Sequence, residues 1–201
     1  KDHTMLEFCK PKRIEMGLLF LLLLTLVSCG KENETTSESK PIRFSYLALG
    51  DSYTIGSALP DSSKSYPIQL VERLNQDAYL EGTDPDNVAF GGWRTDQLIS
   101  AIEIADLSVQ YDLVSLLIGV NNQFQNLSDS VYAVEFEELL NTAIGFAGND
   151  TDRVFVLSIP DYGVTPFGQS YSNASAGVDA FNALNLQITT AFGISYFDIT
   201  A

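Results

Sequence analysis

Two short runs of almost uninterrupted apolar residues constrain the fold of this chain more than any other feature. They lie at residues 113–118 and 154–157. Strands that are buried on both faces of a parallel sheet have this composition, whereas strands with one solvated face alternate apolar and polar residues. The two runs therefore predict central strands of a parallel sheet.

Strand-like and helix-like segments alternate along the chain from residue 42 onwards. Five strands are predicted, at residues 42–49, 87–90, 112–119, 153–159 and 195–200. Between them, apolar residues recur at helical spacing after Pro67, after a predicted cap at Thr95, and from Phe136 and Phe181 onwards. This alternation predicts an α/β domain in which helices cover both faces of a parallel sheet.

Polar residues and glycines follow the first four predicted strands. In chain order, the candidates for a functional role are Asp51, Ser52, Gly92, Asn121, Asn122 and Asp161. Because parallel strands end at one edge of the sheet, these loops are expected to converge there. A serine hydroxyl becomes a nucleophile when a base removes its proton, and the oxyanion that then forms needs preset N–H donors. The Ser52 N–H, a glycine N–H of the second loop and the Asn121 amide are the candidate donors.

Several of these residues also have purely structural explanations. Asn121 and Asn122 are as typical of a turn or a helix cap as of a catalytic loop. Asp51 fits a hydrogen-bonding partner within its turn better than the acid of a catalytic triad. Trp93, beside Gly92, either lines a substrate pocket or packs in the core.

As an ordered set, these motifs resemble the SGNH (GDSL-type) hydrolases over about residues 42–201. Gly50-Asp51-Ser52 matches the first block of that family, Gly92 the second, and Gly119-Val120-Asn121 the third. Residues 158–166, which include Asp161, are similar to a loop of a lipoprotein subgroup. Asn122 stands where the third block often has Asp. The Gly-x-Ser-x-Gly elbow of α/β-hydrolases does not occur at Ser52, so that family matches poorly.

The resemblance implies a fold, an activity and roles for the site residues. The fold is a flavodoxin-like three-layer α/β/α sandwich with a five-stranded parallel sheet. The activity is that of a serine esterase, with an acyl-Ser52 intermediate formed from an acetylated glycan or a short-chain acyl ester. Ser52 is the implied nucleophile, and Ser52, Gly92 and Asn121 are the implied oxyanion hole. Asp51, Asn122 and Asp161 are candidates for supporting roles.

The catalytic base is the point at which the sequence departs from this family. The family's last block is an Asp-x-x-His pair, but the sequence reads Asp198-Ile199-Thr200-Ala201 there, and its one histidine is His3. A serine without a base attacks esters poorly. We expect a C-terminally truncated chain that is nearly inactive as given; the alternative is a non-catalytic envelope lipoprotein that binds glycans or acyl groups in the same cleft. Asp161 and Asp198 are poor substitute bases, because carboxylate pKa values lie near about 4.

The N-terminal residues predict export. Three basic residues, Lys10, Lys12 and Arg13, precede an apolar run at residues 16–27 that is too short to span a bilayer. Residues 26–29 resemble a bacterial lipobox, which implies a lipid on Cys29; an ordinary secretory signal with a chance cysteine is the alternative. The expected organisation is a signal peptide at 1–28, a flexible tether at 29–40 and the hydrolase domain at 41–201. The expected location is the outer membrane.

Charge and composition limit the kinds of molecule that the protein is expected to bind. The formal net charge of -15 argues against nucleic acid, which requires a basic surface. The sequence contains neither a metal-ligand cluster nor a phosphate or dinucleotide fingerprint, so no metal or cofactor is predicted. With Cys9 in the signal peptide and Cys29 lipidated, the domain is expected to have no disulfide. We expect a monomer that meets an ester substrate and, through its lipid, a membrane.

Overall fold

The computed structural model describes residues 40–108 and 110–200. Its strands are β1 (Ile42–Phe44), β2 (Tyr46–Gly50), β3 (Leu80–Gly82), β4 (Asp86–Ala89), β5 (Leu113–Leu117), β6 (Val154–Leu157) and β7 (Ser195–Phe197). Its α-helices are α1 (Ser52–Ile55), α2 (Tyr66–Leu74), α3 (Thr95–Ile104), α4 (Val120–Phe124), α5 (Asp129–Phe146) and α6 (Ala174–Ala191). Single 3₁₀ turns lie at Ser62–Lys64, Thr151–Arg153, Tyr162–Val164 and Gly168–Ser170.

The main sheet has five parallel strands in the order β4-β2-β5-β6-β7. Gly50, the last residue of β2, lies opposite Ala89 of β4 and Leu117 of β5, so these three strands end at the same level. The loops that follow them therefore start from one edge of the sheet. The predicted α/β fold with a five-stranded parallel sheet is confirmed.

Helices pack on both faces of the sheet. On one face, α3, α5 and α6 bury Leu98, Phe136 and Phe181 against the apolar side chains of β2, β5 and β6. On the other face, α2 buries Val71 against Tyr46 and Ala48. Strand β2 is fully buried between these helices, which is the physical reason for its continuous apolar sequence. Phe155 and Leu157 of β6 are only half-buried, because no described helix covers them on the second face.

The first predicted strand, residues 42–49, is wrong as a single strand. It is two strands separated by Ser45, whose N–H donates to Asp112 Oδ2 at 2.9 Å and whose hydroxyl lies 3.0 Å from the same oxygen. Strand β1 then pairs with β3 in a separate two-stranded parallel sheet. The short β3, with the sequence Leu-Glu-Gly, has no apolar alternation and was not predicted.

The predicted cap of α3 is also wrong by one residue. Arg94 is the N-cap and Thr95 is the first helical residue, where its side chain is fully buried. The Thr95 N–H donates to Asn122 Oδ1 at 3.1 Å, so a side chain from another element satisfies the helix terminus. A distant partner of this kind leaves no trace in the local sequence.

A groove of about 920 Å³ lies on the second face of the sheet, between α2 and β7. Leu70, Leu113, Phe155, Leu157, Phe197 and Ile199 supply its apolar lining. Within the described ranges, no helix is both long and apolar enough to cross a membrane. The predicted signal peptide and Cys29 lie outside the described residues.

Candidate active site

Ser52 lies at the start of α1, directly beyond the carboxyl end of β2. The strand ends at Gly50, Asp51 is the N-cap, and Ser52 is the first helical residue. The first N–H groups of a helix have no partner within the helix. The hydrogen bonds among the described residues include none from the Ser52 N–H. This N–H is therefore free to bind a ligand beside the half-buried Ser52 side chain.

Asp51 holds the turn that presents Ser52. Its carboxylate is fully buried, and its Oδ1 accepts the Tyr53 N–H at 3.0 Å. Its Oδ2 has no partner among the described residues. Desolvation disfavours the charged form and raises the pKa of Asp51 to about 7, although the Tyr53 N–H acts in the opposite direction. Asp51 thus carries a proton at mildly acidic pH.

Asn121 connects the loop after β5 to the loop after β4. It is the second residue of α4, and its Nδ2 donates to the Trp93 carbonyl at 2.8 Å. An amide nitrogen has two N–H groups, so one remains available for a ligand. The Trp93 ring packs against the core and lies 5.7 Å from the Phe90 ring.

Gly92 lies beside Trp93 but does not line the cleft that contains Ser52. Gly92 is exposed, with a φ of 87°, and a β-carbon at this position would have no atom within 4 Å. The structure thus brings together Ser52 and Asn121, two of the three predicted oxyanion-hole residues, and leaves Gly92 outside the lining.

Asn122 is buried next to the site and holds two helices together. Its Oδ1 accepts the Thr95 N–H, and its Nδ2 donates to Thr95 Oγ1 at 2.6 Å. The Thr95 hydroxyl in turn donates to Glu135 Oε2 of α5. Asn122 therefore fixes the start of α3 against α4 and α5 and does not face the cleft.

The two carboxylates considered as substitute bases are engaged in turns of their own. Asp161 caps the 3₁₀ turn Tyr162–Val164, with Oδ1 accepting the Gly163 N–H at 2.7 Å. Asp198 Oδ1 accepts the Thr200 N–H at 2.9 Å, and hydrogen bonds from Thr200 lower the pKa of Asp198 below its ordinary value. A carboxylate with a lowered pKa is a weaker base still. Neither residue lines the cleft.

A cleft of about 270 Å³ opens beside the nucleophile candidate. Its lining consists of Ser52, Tyr53, Val120, Asn121, Phe124, Tyr162 and Phe167. Sequence reasoning identified Ser52 and Asn121 and missed Phe124, Tyr162 and Phe167. The only available signal for them was position, since Phe124 follows the third block closely and Tyr162 lies in the loop after β6.

Neither an imidazole nor a metal cluster accompanies these residues. Residues 40–200 contain no histidine. Across the described part of the chain, no group of three or more His, Cys, Asp or Glu side chains could hold a metal ion. What this part of the chain supplies is a hydroxyl with two N–H donors beside an aromatic surface.

Comparison with known proteins identifies the family. A model of the GDSL-like lipase/acylhydrolase family matches residues 48–201. The chain belongs to this family. Its SGNH hydrolase fold agrees with the resemblance drawn from Gly50-Asp51-Ser52 and the later blocks. No curated protein sequence matches the chain.

Solved structures of GDSL and SGNH enzymes share the fold. The SGNH-hydrolase family esterase AlinE4 is 15% identical, with a TM-score of 0.59 over 79% of this chain and 77% of that chain. The lipase/acylhydrolase from Enterococcus faecalis is 19% identical, with a TM-score of 0.57 over 76% and 74%. Phospholipase A1 from Streptomyces albidoflavus NA297 is 20% identical, with a TM-score of 0.55 over 76% and 78%. At these identities the likeness is one of fold.

Proposed function

We propose that this GDSL-family protein is a carboxylic ester hydrolase that acts through an acyl-Ser52 intermediate. One observation carries the proposal: Ser52 and Asn121 come from the ends of two adjacent strands and line the same cleft. A hydroxyl and a side-chain amide in one small cleft suit acyl transfer, in which the nucleophile and the oxyanion donors must both reach the substrate carbonyl.

In the proposed reaction, Ser52 Oγ attacks the acyl carbonyl and its proton passes to a base. The oxyanion accepts hydrogen bonds from the Ser52 N–H and the second Asn121 N–H, and Gly92 is the proposed third donor. Collapse of this intermediate releases the alcohol, which takes up the proton, and water then releases the acid from Ser52. Because residues 40–200 contain no histidine, the proposal assigns the base to an Asp-x-x-His block outside them.

A non-catalytic binding protein is the second candidate. One observation favours it: among the described residues, no side chain that could act as the general base for Ser52 lines the cleft. Such a protein would bind a glycan or an acyl group in the same cleft without turnover. The two candidates make opposite predictions about the Ser52 hydroxyl.

The test is hydrolysis of p-nitrophenyl acetate and butyrate by the product of the complete gene. We expect Ser52→Ala to abolish turnover and Ser57→Ala, which removes an exposed hydroxyl nearby, to retain it. A fluorophosphonate should label the parent protein and not the Ser52→Ala variant. Folded protein with no Ser52-dependent hydrolysis and no labelling would leave the binding protein as the function.

We further propose that the protein is an exported bacterial lipoprotein of the outer membrane, anchored through Cys29. The proposal is supported by the basic residues, the apolar run and the lipobox-like residues of the N-terminal sequence. Metabolic labelling with palmitate should mark the parent protein. A Cys29→Ser variant labelled to the same extent would contradict the anchor.

A further inference from the structure

The cleft beside Ser52 contains one hydroxyl group that the proposed reaction does not use. The lining side chains with a polar group are those of Ser52, Tyr53, Asn121 and Tyr162. In the proposed reaction, Ser52 supplies the nucleophile and Asn121 supplies an oxyanion donor. The Tyr162 hydroxyl donates to Gln123 Oε1 at 2.9 Å and is therefore already engaged. The Tyr53 hydroxyl is the polar group of the lining that is left without a role.

The backbone and the ring of Tyr53 are held in place, but its hydroxyl has no protein partner. The Tyr53 N–H donates to Asp51 Oδ1 at 3.0 Å, and the half-buried ring packs against the core. Among the described residues, none forms a hydrogen bond with the Tyr53 hydroxyl. A group that is already positioned loses little entropy when a ligand binds, which favours affinity.

The Tyr53 hydroxyl keeps its proton at neutral pH. Partial burial raises the pKa of Tyr53 above its ordinary value, and the negative charges of Asp51 and Asp161 act in the same direction. A neutral phenolic hydroxyl both donates and accepts hydrogen bonds. It is therefore suited to bind a hydroxyl group of a ligand.

The surroundings of this hydroxyl make its hydrogen bonding selective. No charged side chain lines the cleft, and the other lining residues are Val120, Phe124 and Phe167. A purely aliphatic substrate would cover the Tyr53 hydroxyl and displace its water without offering a hydrogen bond, which is unfavourable. A site that hydrogen-bonds a substrate hydroxyl discriminates strongly against analogues that lack it.

From these contacts we infer that Tyr53 is a specificity-determining residue, whose hydroxyl binds a second oxygen-bearing group of the substrate apart from the scissile carbonyl. The substrate class is then an ester with a free hydroxyl group close to the scissile bond, in its alcohol part or its acyl part. A simple aliphatic ester is the disfavoured class. This inference rests on the proposed function and narrows its substrate class.

The first experiment compares two matched pairs of esters as substrates of the complete gene product, by titration of the released acid. Glycerol 1-monobutyrate and propyl butyrate differ by hydroxyl groups in the alcohol part, and ethyl 3-hydroxybutyrate and ethyl butyrate differ by one in the acyl part. We expect kcat/KM to be at least about tenfold higher for the hydroxylated ester of one pair. Tyr53→Phe should lower that ratio about tenfold, which corresponds to about 1.4 kcal/mol.

Tyr171→Phe is the matched control for the first experiment. The Tyr171 ring lies 5.2 Å from the Phe124 ring at the rim, but Tyr171 is exposed and does not line the cleft. This variant should leave both ratios unchanged. If Tyr53→Phe lowered kcat/KM equally for both esters of each pair, Tyr53 would have a structural role only and the inference would be overturned. Parent protein with no preference within either pair overturns it as well.

The second experiment measures binding without turnover. The same intact esters are titrated by calorimetry into the Ser52→Ala protein, which cannot form the acyl intermediate. We expect the hydroxylated ester of one pair to bind at least about tenfold more tightly, and the addition of Tyr53→Phe to remove that difference. Equal binding within both pairs, or a difference that persists in the double variant, overturns the role of Tyr53.

The two experiments separate this inference from the proposed function. Ser52-dependent hydrolysis with no preference for a hydroxylated ester overturns the role of Tyr53 and leaves the esterase intact. Tyr53-dependent binding without Ser52-dependent hydrolysis overturns the esterase and supports a role for Tyr53 in the binding site of a non-catalytic protein.

Discussion

Asn121 has both a structural contact and a proposed role in the reaction. Its amide binds the Trp93 carbonyl and also lines the cleft with Ser52. Loss of one oxyanion donor typically lowers the rate by about 10²–10³. We therefore expect Asn121→Ala to lower kcat for p-nitrophenyl butyrate by that factor, as measured by steady-state kinetics of the complete gene product.

Asn141→Ala is the control for this prediction. Asn141 is exposed on α5, and its amide donates to the Glu137 carbonyl one turn earlier, far from Ser52 in sequence. The control should keep the full kcat. A kcat for Asn121→Ala within threefold of the parent value would remove Asn121 from the oxyanion hole.

Asp51 makes the stability of the protein depend on pH in an unusual direction. The ordinary pKa of an aspartate is about 4, but burial raises the pKa of Asp51 to about 7 in the folded protein. The folded chain thus binds this proton more tightly than the unfolded chain. The stabilisation is complete below about pH 4 and is lost as the pH rises through about 7.

Asp51→Asn tests this dependence, because the amide keeps an oxygen for the Tyr53 N–H and cannot ionise. Relative to this variant, the parent protein should lose a few kcal/mol of unfolding free energy between pH 4 and pH 7, as measured by urea denaturation. Asp61→Asn is the control. Hydrogen bonds from Ser63 lower the pKa of Asp61, so the contribution of Asp61 to the stability of the fold is lost as the pH falls, in the direction opposite to that of Asp51. If the unfolding free energies of the parent protein and of Asp51→Asn changed in parallel with pH, the raised pKa of Asp51 would be contradicted.

At the scale of elements, the junction between β5 and α4 decides where Asn121 lies. Gly119 makes this junction with a φ of 128°, which side chains rarely adopt. A β-carbon there would lie 2.8 Å from Ile159 Cδ1 and even closer to the Tyr132 hydroxyl. That hydroxyl is buried 2.6 Å from Asn185 Oδ1, so it cannot move away without breaking a hydrogen bond.

We expect Gly119→Ala to lower the free energy of unfolding by roughly 2 kcal/mol or more, through backbone strain and overpacking. Gly145→Ala is the matched control, since Gly145 is exposed within α5 and a β-carbon there would contact nothing. It should raise stability by about 0.5–1 kcal/mol. Equal stability of the two variants in urea denaturation would show that the junction tolerates a side chain.

At the scale of the whole molecule, the acidic charge opposes compaction. The formal net charge is -15 and the pI is near 4.2. Salt screens repulsion between exposed charges of the same sign. Raising NaCl from 10 to 300 mM at pH 7 should therefore raise the melting temperature by about 2–4 °C, equivalent to about 1 kcal/mol for a domain of this size.

Repeating the salt series near the pI distinguishes relief of charge repulsion from other effects of salt on stability. At pH 4.2 the net charge is close to zero, so the same salt step should leave the melting temperature nearly unchanged. An equal rise at both pH values would assign the effect to salting-out of apolar surface rather than to relief of repulsion.

The fold could be predicted because its central strands appear in the sequence as short, nearly continuous apolar runs. Residues 113–118 and 154–157 have no polar alternation, since their strands lie inside the parallel sheet, with helices on one face and α2 or an apolar groove on the other. Parallel strands then place Ser52 and Asn121 at one edge, and the motif order agrees with the family. The separation of β1 from β2 could not be predicted, because it depends on the contact of Ser45 with Asp112, 67 residues away.

The sequence by itself determined the α/β class, the strand ends at which the polar residues gather, and the family. These follow from periodicity and motif order, which are local properties. Tertiary structure decided that Asn122 binds Thr95, that Asp51 is buried with a raised pKa, and that Phe124 and Phe167 stand beside Ser52. Each of these depends on which distant side chains meet, and packing alone brings such partners together.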